Sequence, residues 1–259
     1  MEITQVTEHI YRITPPYKDI FTTVCLVKTP QGAVMFDTAS FDEDVDNYLV
    51  PFLEAVNVSA EELKYVFISH NHGDHAGGLK VLMERYPNTT LVTRNDVLKT
   101  EYEKYNVLVP QDGDTILDVL QVVTIPGHTA MAMALLDTRT GTMLSGDCLQ
   151  LYGIYGSGYW ACNIGFPTKH LAAIEKLRTM NIQKLLTAHD YHPYGYWYDT
   201  PEKVLAALDA CVEPLMNIKE MILANPEKTD EEIAALYNAP KTLPKLGTRP
   251  VTSVRRDLL

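Results

Sequence analysis

An α/β domain is the fold class the sequence predicts, and three observations carry it. Short β-branched or apolar runs alternate with stretches of helical periodicity along most of the chain. Each candidate chemical residue or cluster stands just after one of the short runs, where an α/β protein presents functional groups on a rigid sheet rim. The chain has 259 residues, 46% of them hydrophobic and 21% charged, enough to bury one large core.

The first strands are predicted at 10–14, 22–28 and 33–36, punctuated by Pro15-Pro16 and Pro30-Gln31-Gly32. A helix fits 42–56. Ser59 with Glu62 is a capping pair, but a strand at 65–68 follows so soon that only one helical turn fits. Gly77-Gly78 then opens a helix through Leu79, Leu82, Met83 and Tyr86. Strands are predicted at 90–93, 119–125, 132–137 and 142–145, with a helix at 95–105 between the first two. A helix at 168–180 precedes a strand at 184–187. Thr200-Pro201 supplies an N-cap and a proline at the first helical position, opening a helix through Val204, Leu205, Leu208, Val212 and Leu215. Pro214 should kink or end it. Thr229 with Glu232 caps a helix at 231–237, and the tail from Ala239, rich in Pro, Lys and Arg, reads as irregular. No repeat or low-complexity tract interrupts this order. The expected organisation is one domain over 1–259, with 200–259 a helical C-terminal extension.

Bulk properties narrow the function classes. The net charge of −11 opposes binding to a phosphate backbone, so nucleic acid is not an expected partner. No apolar run reaches the roughly 18–20 residues of a membrane span. The N-terminus Met1-Glu2-Ile3-Thr4-Gln5 has neither the basic nor the apolar region of a secretory signal. Cys25, Cys148, Cys162 and Cys211 are widely spaced, which argues against a disulfide framework or a zinc ribbon. A reducing, cytoplasmic setting is expected. Cys148, beside a candidate ligand, reads as a small buried residue.

The chemistry concentrates in seven residues. His70, His72, Asp74 and His75 lie in Ser69-His70-Asn71-His72-Gly73-Asp74-His75-Ala76-Gly77-Gly78, and His128, Asp147 and His189 follow later strands. Five imidazoles and two carboxylates are enough for two divalent metal ions: zinc first, with iron or manganese as alternatives. His70 and His72 share a face of a near-extended segment and can reach one ion together with His128. Three protein ligands with an open position are the pattern of a catalytic zinc. Asp74, His75 and His189 would hold the second ion, Gly73 would free the turn between the two sets, and Asp147 could bridge. A hydroxide formed between two such ions attacks an electrophile at neutral pH. His9 and His170 read as ordinary surface or helix residues, and His192 belongs to an aromatic loop.

The His70 run resembles the signature of the metallo-β-lactamase superfamily. Pro126-Gly127-His128-Thr129, Ser145-Gly146-Asp147 and Ala188-His189 resemble its later motifs, in order. The resemblance implies a four-layer αββα sandwich with extra C-terminal helices. It also implies His70, His72 and His128 on one metal, Asp74, His75 and His189 on the other, and Asp147 between them. Asp37 matches a superfamily aspartate that orients a metal histidine; a strand-end turn residue is the other reading.

Within the superfamily the chain is most similar to glyoxalase II and lactonase-type members. That implies hydrolysis of a small carboxylic ester, lactone or thioester, with Asp74 also passing protons. Phosphodiesterase or phosphatase action on a nucleotide or phospholipid head group is the alternative. A partner-binding role for the C-terminal helices is a third possibility, and a homodimer is compatible with the sequence. Lys241, Lys245, Arg249, Arg255 and Arg256 read as a solvated tail. Two aromatic segments, 151–160 and 191–198, directly follow Asp147 and His189. Pocket lining for an apolar or ring-bearing small molecule and packing against the core are even alternatives for them. Tyr152 is the candidate oxyanion or leaving-group donor.

Overall fold

A computed structural model describes residues 1–154, 161–191, 193–240 and 245–259. Strands β1 (Thr4–Gln5), β2 (Ile10–Ile13), β5 (Val24–Thr29), β6 (Gly32–Phe36), β7 (Leu63–Phe67), β8 (Thr90–Val92) and β9 (Val107–Leu108) form a first sheet in the order β1-β2-β5-β6-β7-β8-β9. The hairpin β3 (Pro16–Tyr17) and β4 (Ile20–Phe21) stands apart from it. A second sheet runs β10 (Thr115–Ile116), β11 (Leu120–Thr124), β12 (Met133–Asp137), β13 (Thr142–Leu144), β14 (Lys184–Tyr191) and β15 (Gly195–Tyr198), adjacent in that order.

Alternation along the strands explains why the sheets stack. In β5, Val24 and Leu26 face outward to the helices while Cys25 and Val27 face the other sheet. In β12, Met133 and Leu135 meet the first sheet while Ala134 and Leu136 turn outward. The core between the sheets includes Phe36 and Phe67, stacked with ring centroids 5.3 Å apart. Helices α1 (Val50–Ala55), α3 (Leu79–Arg85) and α4 (Asp96–Glu101) cover the first sheet. Helices α5 (Pro167–Arg178) and α6 (Pro201–Ala224) cover the second. The result is the αββα sandwich. Ser59 and Glu62 cap each other reciprocally over a single turn, as expected.

Several expectations are corrected. Pro214 does not end α6. It removes the donor for Ala210 O, but the buried stripe through Val204, Leu208, Cys211, Leu215, Ile218 and Ile222 continues across it. After α7 (Asp230–Asn238), the tail from Ala239 is not irregular throughout, since Thr248–Leu258 form α8. Pro250 sits in the first turn of α8, where a missing N–H is tolerated, and Val251 and Val254 bury against Ile218, Ile222 and Ile233. Nor do Arg255 and Arg256 belong to a solvated tail, since Arg255 pairs with Asp230 at 2.9 Å and Arg256 donates to Gly165 O at 2.8 Å. The helix at 95–105 is shorter than expected, and the chain turns at Tyr102 to begin β9. β14 runs on through His189 to Tyr191, so His189 lies within a strand rather than after one.

Phe36 and Phe67, partners across β6 and β7 of the first sheet, stack on the face turned toward the second sheet. Phe67→Ala is expected to lower the unfolding free energy by roughly 3–5 kcal/mol, measured by urea denaturation. A loss under about 1 kcal/mol would mean that the site refills on relaxation.

Candidate metal centre

The ends of three strands and the body of a fourth deliver the site. β7 leads into His70. His72 is extended (φ −72°, ψ 151°) and caps the short helix α2 (Gly73–Ala76), which carries Asp74 and His75. The expectation for Gly73 is corrected: it is helical, with open space where a side chain would stand. The glycine requirement falls instead on Gly77 and Gly78, where a Cβ would come within 2.0 Å of Ser40 O and 2.5 Å of Thr38 O. That close approach seats α2 and α3 on the loop after β6. Gly146 adopts φ +54°, and a Cβ there would lie 2.5 Å from Ser69 Oγ; this contact places Asp147 beside the His70 run.

Two ligand groups result. His70, His72 and His128 form one; Asp74, His75, Asp147 and His189 form the other, with ligand atoms in each group within 4.8 Å of one another. Asp147 Oδ2 lies 3.7 Å from His75 Nε2 and 3.6 Å from His128 Nε2, so one carboxylate oxygen faces both groups. All seven sequence-selected residues are therefore brought together.

The surrounding hydrogen bonds orient the imidazoles. His128 Nδ1 donates to Asn163 O at 2.6 Å and His189 Nδ1 to Phe21 O at 2.6 Å. His75 Nδ1 meets Asp37 Oδ2 at 2.7 Å. Ser69 Oγ donates to Asp37 Oδ2 at 2.8 Å, which leaves it to accept from His70 Nδ1 at 3.1 Å. These assignments follow from the partners, since a carbonyl oxygen can only accept. Each ring keeps Nε2 for the interior, and Nε2 of His70, His75 and His189 is buried without a hydrogen-bond partner. His189 Nε2 is 2.9 Å from Asp147 Oδ1, but without hydrogen-bond alignment. His72 instead turns Nδ1 inward, 2.9 Å from His128 Nε2. Buried polar atoms converging without partners are those expected around a cation. Asp37 combines both readings offered for it. It is a post-strand residue at φ +63°, and it orients His75 while accepting from Ser69 N at 2.8 Å.

Electrostatics divide the groups. Burial pushes His70 well below its usual range, lowers His72, and takes His128 down to about 4, so the first group is neutral. In the second, burial opposes charge, but carboxylate–imidazole attraction outweighs it. Asp74 and Asp147 are held well below the usual carboxylate range by His75 and His189. His75 is held well above its usual range by Asp74 and Asp37, and His189 is raised to about 9 by Asp147. Burial raises Asp37, with His75 opposing.

Other expectations resolve residue by residue. Tyr152 is half-buried and its phenol interacts with Tyr237 of α7. The second aromatic segment is largely strand rather than loop: Tyr191 ends β14 and Gly195–Tyr198 form β15, with Tyr191 and Tyr198 packed in the outer core of the second sheet and Trp197 against the inter-sheet core. Residues 155–160, His192 and Lys241 lie outside the described residues. Cys25, Cys148, Cys162 and Cys211 are all free and buried. Arg249 is exposed, yet it stands near the centre. A Cβ on Gly165 would lie 3.1 Å from His128 O and 3.5 Å from Arg249 Nη2, and the Arg249 charge helps lower His72. His170 is not an ordinary helix residue: it is buried against Gly127 and its Nε2 donates to Cys211 O at 3.3 Å.

Sequence reasoning missed Tyr191 and Gln150. Tyr191 Oη donates to Asp147 Oδ1 at 3.0 Å and accepts from Gln150 Nε2 at 3.1 Å. The spacing of His189 and Tyr191 is a usable signal, because residues two apart share one face of a strand.

Two adjoining groups of His and Asp side chains at the rim of an αββα sandwich form a cluster that could hold metal ions. A profile of the Metallo-beta-lactamase superfamily matches residues 18–189, and the chain belongs to that superfamily. It is similar to the protein YobT of Bacillus subtilis (strain 168), at 30% identity over 52% of this chain and 66% of YobT. A hydroxyacylglutathione hydrolase of Francisella tularensis subsp. holarctica is 30% identical over 65% of this chain and 70% of that enzyme. The chain spans about half to two thirds of the length of several curated relatives it matches. A metallo-beta-lactamase family protein from Thermus thermophilus has the same fold, with a TM-score of 0.68 at 16% identity, covering 97% of this chain and 92% of that one.

His170 gives a pH dependence. Burial lowers its pKa to about 4, below its value in the unfolded chain, so unfolding takes up a proton as pH falls from about 6.5 toward 4. The stability it contributes above that window is lost within it. In metal-free His170→Gln the slope of unfolding free energy against pH across this window should be shallower by close to one proton. Equal slopes in urea melts would contradict a neutral buried imidazole.

Proposed function

We propose that this chain is a metal-dependent hydrolase of a small carboxylic ester, lactone or thioester, using two divalent ions, zinc before iron or manganese. The observation that carries the reading is the pair of adjoining ligand groups with Asp147 facing both. His70, His72 and His128 would hold one ion, Asp74, His75 and His189 the other, with Asp147 between. Ions held there would polarise a carbonyl oxygen and lower the pKa of bound water to about 7.

The side chains supply the rest. The neutral imidazoles of the first group would leave the charge of an ion held there uncompensated, favouring an electron-rich substrate oxygen. The two carboxylates of the second group, Asp74 and Asp147, would balance the charge of an ion held there. Asp74, with Thr22 Oγ1 at 3.4 Å from its Oδ2, is placed to pass a proton during attack. Tyr152, in the segment after Asp147, is the candidate donor to the oxyanion or leaving group. Relatives named hydroxyacylglutathione hydrolase favour the acyl branch. Arg249 beside the His128 loop favours a substrate bearing an anionic group, and it supports phosphodiester cleavage as the second reading. No helix among the described residues is long and apolar enough to cross a membrane. With a net charge of −11, a small molecule is the preferred substrate over a nucleic acid.

A pH-indicator assay on zinc-reconstituted protein would cover lactones, S-acyl thioesters, simple esters, β-lactams and phosphodiesters, with chelated protein and Asp74→Asn as blanks. Turnover on an ester, lactone or thioester, lost by about 100-fold or more in Asp74→Asn, is expected. Turnover confined to phosphodiesters would overturn the acyl reading. Arg249→Ala should raise KM about 10-fold for substrates carrying a carboxylate and leave KM for neutral ones unchanged.

A further inference from the structure

Asp147 is oriented by a closed ring of buried groups outside the seven ligands. Tyr191 Oη donates to Asp147 Oδ1 at 3.0 Å. Gln150 Nε2 donates to Tyr191 Oη at 3.1 Å and to Asp147 O at 3.1 Å. Side-chain carboxylate, phenol, carboxamide and backbone carbonyl thus form one cycle that begins and ends on Asp147. Tyr191 is fully buried and Gln150 is 1% exposed, so water does not compete for these bonds. The ring is anchored on both sides, since Ile154 pairs with Tyr191 across an isolated bridge and Tyr191 belongs to the outer core of the second sheet.

We propose that Tyr191 is a positioning residue that sets the affinity of the Asp74–His75–His189 group for its metal ion by fixing the Asp147 carboxylate. The proposal rests on the two-metal reading above. The two oxygens of Asp147 have different surroundings. Oδ2 faces His75 and His128, the point shared by both ligand groups. Oδ1 faces His189 and accepts the hydrogen bond from the phenol. With Oδ1 engaged by a donor built into a strand, rotation about the Cβ–carboxylate bond is blocked and Oδ2 stays aimed at the shared point. Without the phenol hydroxyl, the carboxylate can turn or lose its fixed second partner. The first group has three imidazoles of its own and depends less on Asp147. The second counts Asp147 among its four members, so the loss should fall there. Hydrogen-bond partners of metal ligands commonly change affinity about 10–100-fold when removed.

Tyr191→Phe keeps the ring and removes only the hydroxyl. Tyr198→Phe is the control: Tyr198 is another buried tyrosine of the hairpin, but its hydroxyl donates to Gly195 O at 2.9 Å, away from the ligands. Zinc titrations of metal-free protein against a chromophoric chelator would read both affinities without any substrate. Wild type and Tyr198→Phe should bind two ions alike. Tyr191→Phe should bind one ion as wild type does and the other about 10–100-fold more weakly, with cobalt replacing zinc to show an altered visible spectrum for that ion alone. The metal-free melting temperature should match that of Tyr198→Phe. Two wild-type affinities in Tyr191→Phe would overturn the inference while leaving the two-metal reading intact. Equal weakening by Tyr198→Phe would overturn it as general loosening of the hairpin. A wild-type protein that binds fewer than two ions would overturn both.

Discussion

Everything at the site depends on one constraint: four imidazoles are buried with their Nδ1 atoms committed outward. Asn163 O, Phe21 O, Asp37 and Ser69 take those four positions. A neutral imidazole donating at Nδ1 must present a lone pair at Nε2, so every such bond also aims a ligand atom inward. The acceptors come from different parts of the fold: the loop after β6, the approach to His70, the end of β4 and the segment before α5. The two sheets must stack correctly before the lone pairs converge. This is why the core between the sheets and the metal centre form one structural problem.

The two ligand groups differ in charge. The first is three neutral rings whose burial disfavours protonation. The second carries its own counter-charges, with His75 and His189 drawn toward the cationic form by Asp74, Asp147 and Asp37. A cation held there would therefore displace protons mainly from the second group, while the imidazoles of the first would offer lone pairs already free. Asp147 belongs to both problems, which explains the density of contacts around it. Gly146 in left-handed backbone, the close approach of Ser69 and the Tyr191–Gln150 ring all act on that one carboxylate.

The centre of the fold was legible in the sequence, and its margins were not. β5, β6, β7, β11 and β12 announce themselves through apolar alternation, and their ends bracket His70 and His128. β14 is different. Its second half, Ala188-His189-Asp190-Tyr191, lacks a β-branched residue, so the strand reads as ending before His189 and Tyr191 escapes notice as a neighbour of Asp147. The helix α8 is hidden by Pro250 and by Arg249, Arg255 and Arg256, although proline is tolerated in a first turn and arginines suit an outer face. Pro214 misleads in the opposite direction, because a stripe of buried side chains outweighs one lost hydrogen bond. The ligands are legible because their types and spacing are constrained by the ion. Of their supports, Asp37 was legible through the resemblance, while the carbonyls of Phe21 and Asn163 and the phenol of Tyr191 come near only in the folded chain.

The most direct measurement is anomalous diffraction at the zinc edge from crystals grown with the ion. Two peaks are expected. One should lie among His70 Nε2, His72 Nδ1 and His128 Nε2, the other among Asp74, His75 Nε2 and His189 Nε2, with an oxygen of Asp147 within reach of both. A single peak, or density bound by surface carboxylates with these nitrogens unliganded, would contradict the central claim that the fold pre-orients this set for two ions.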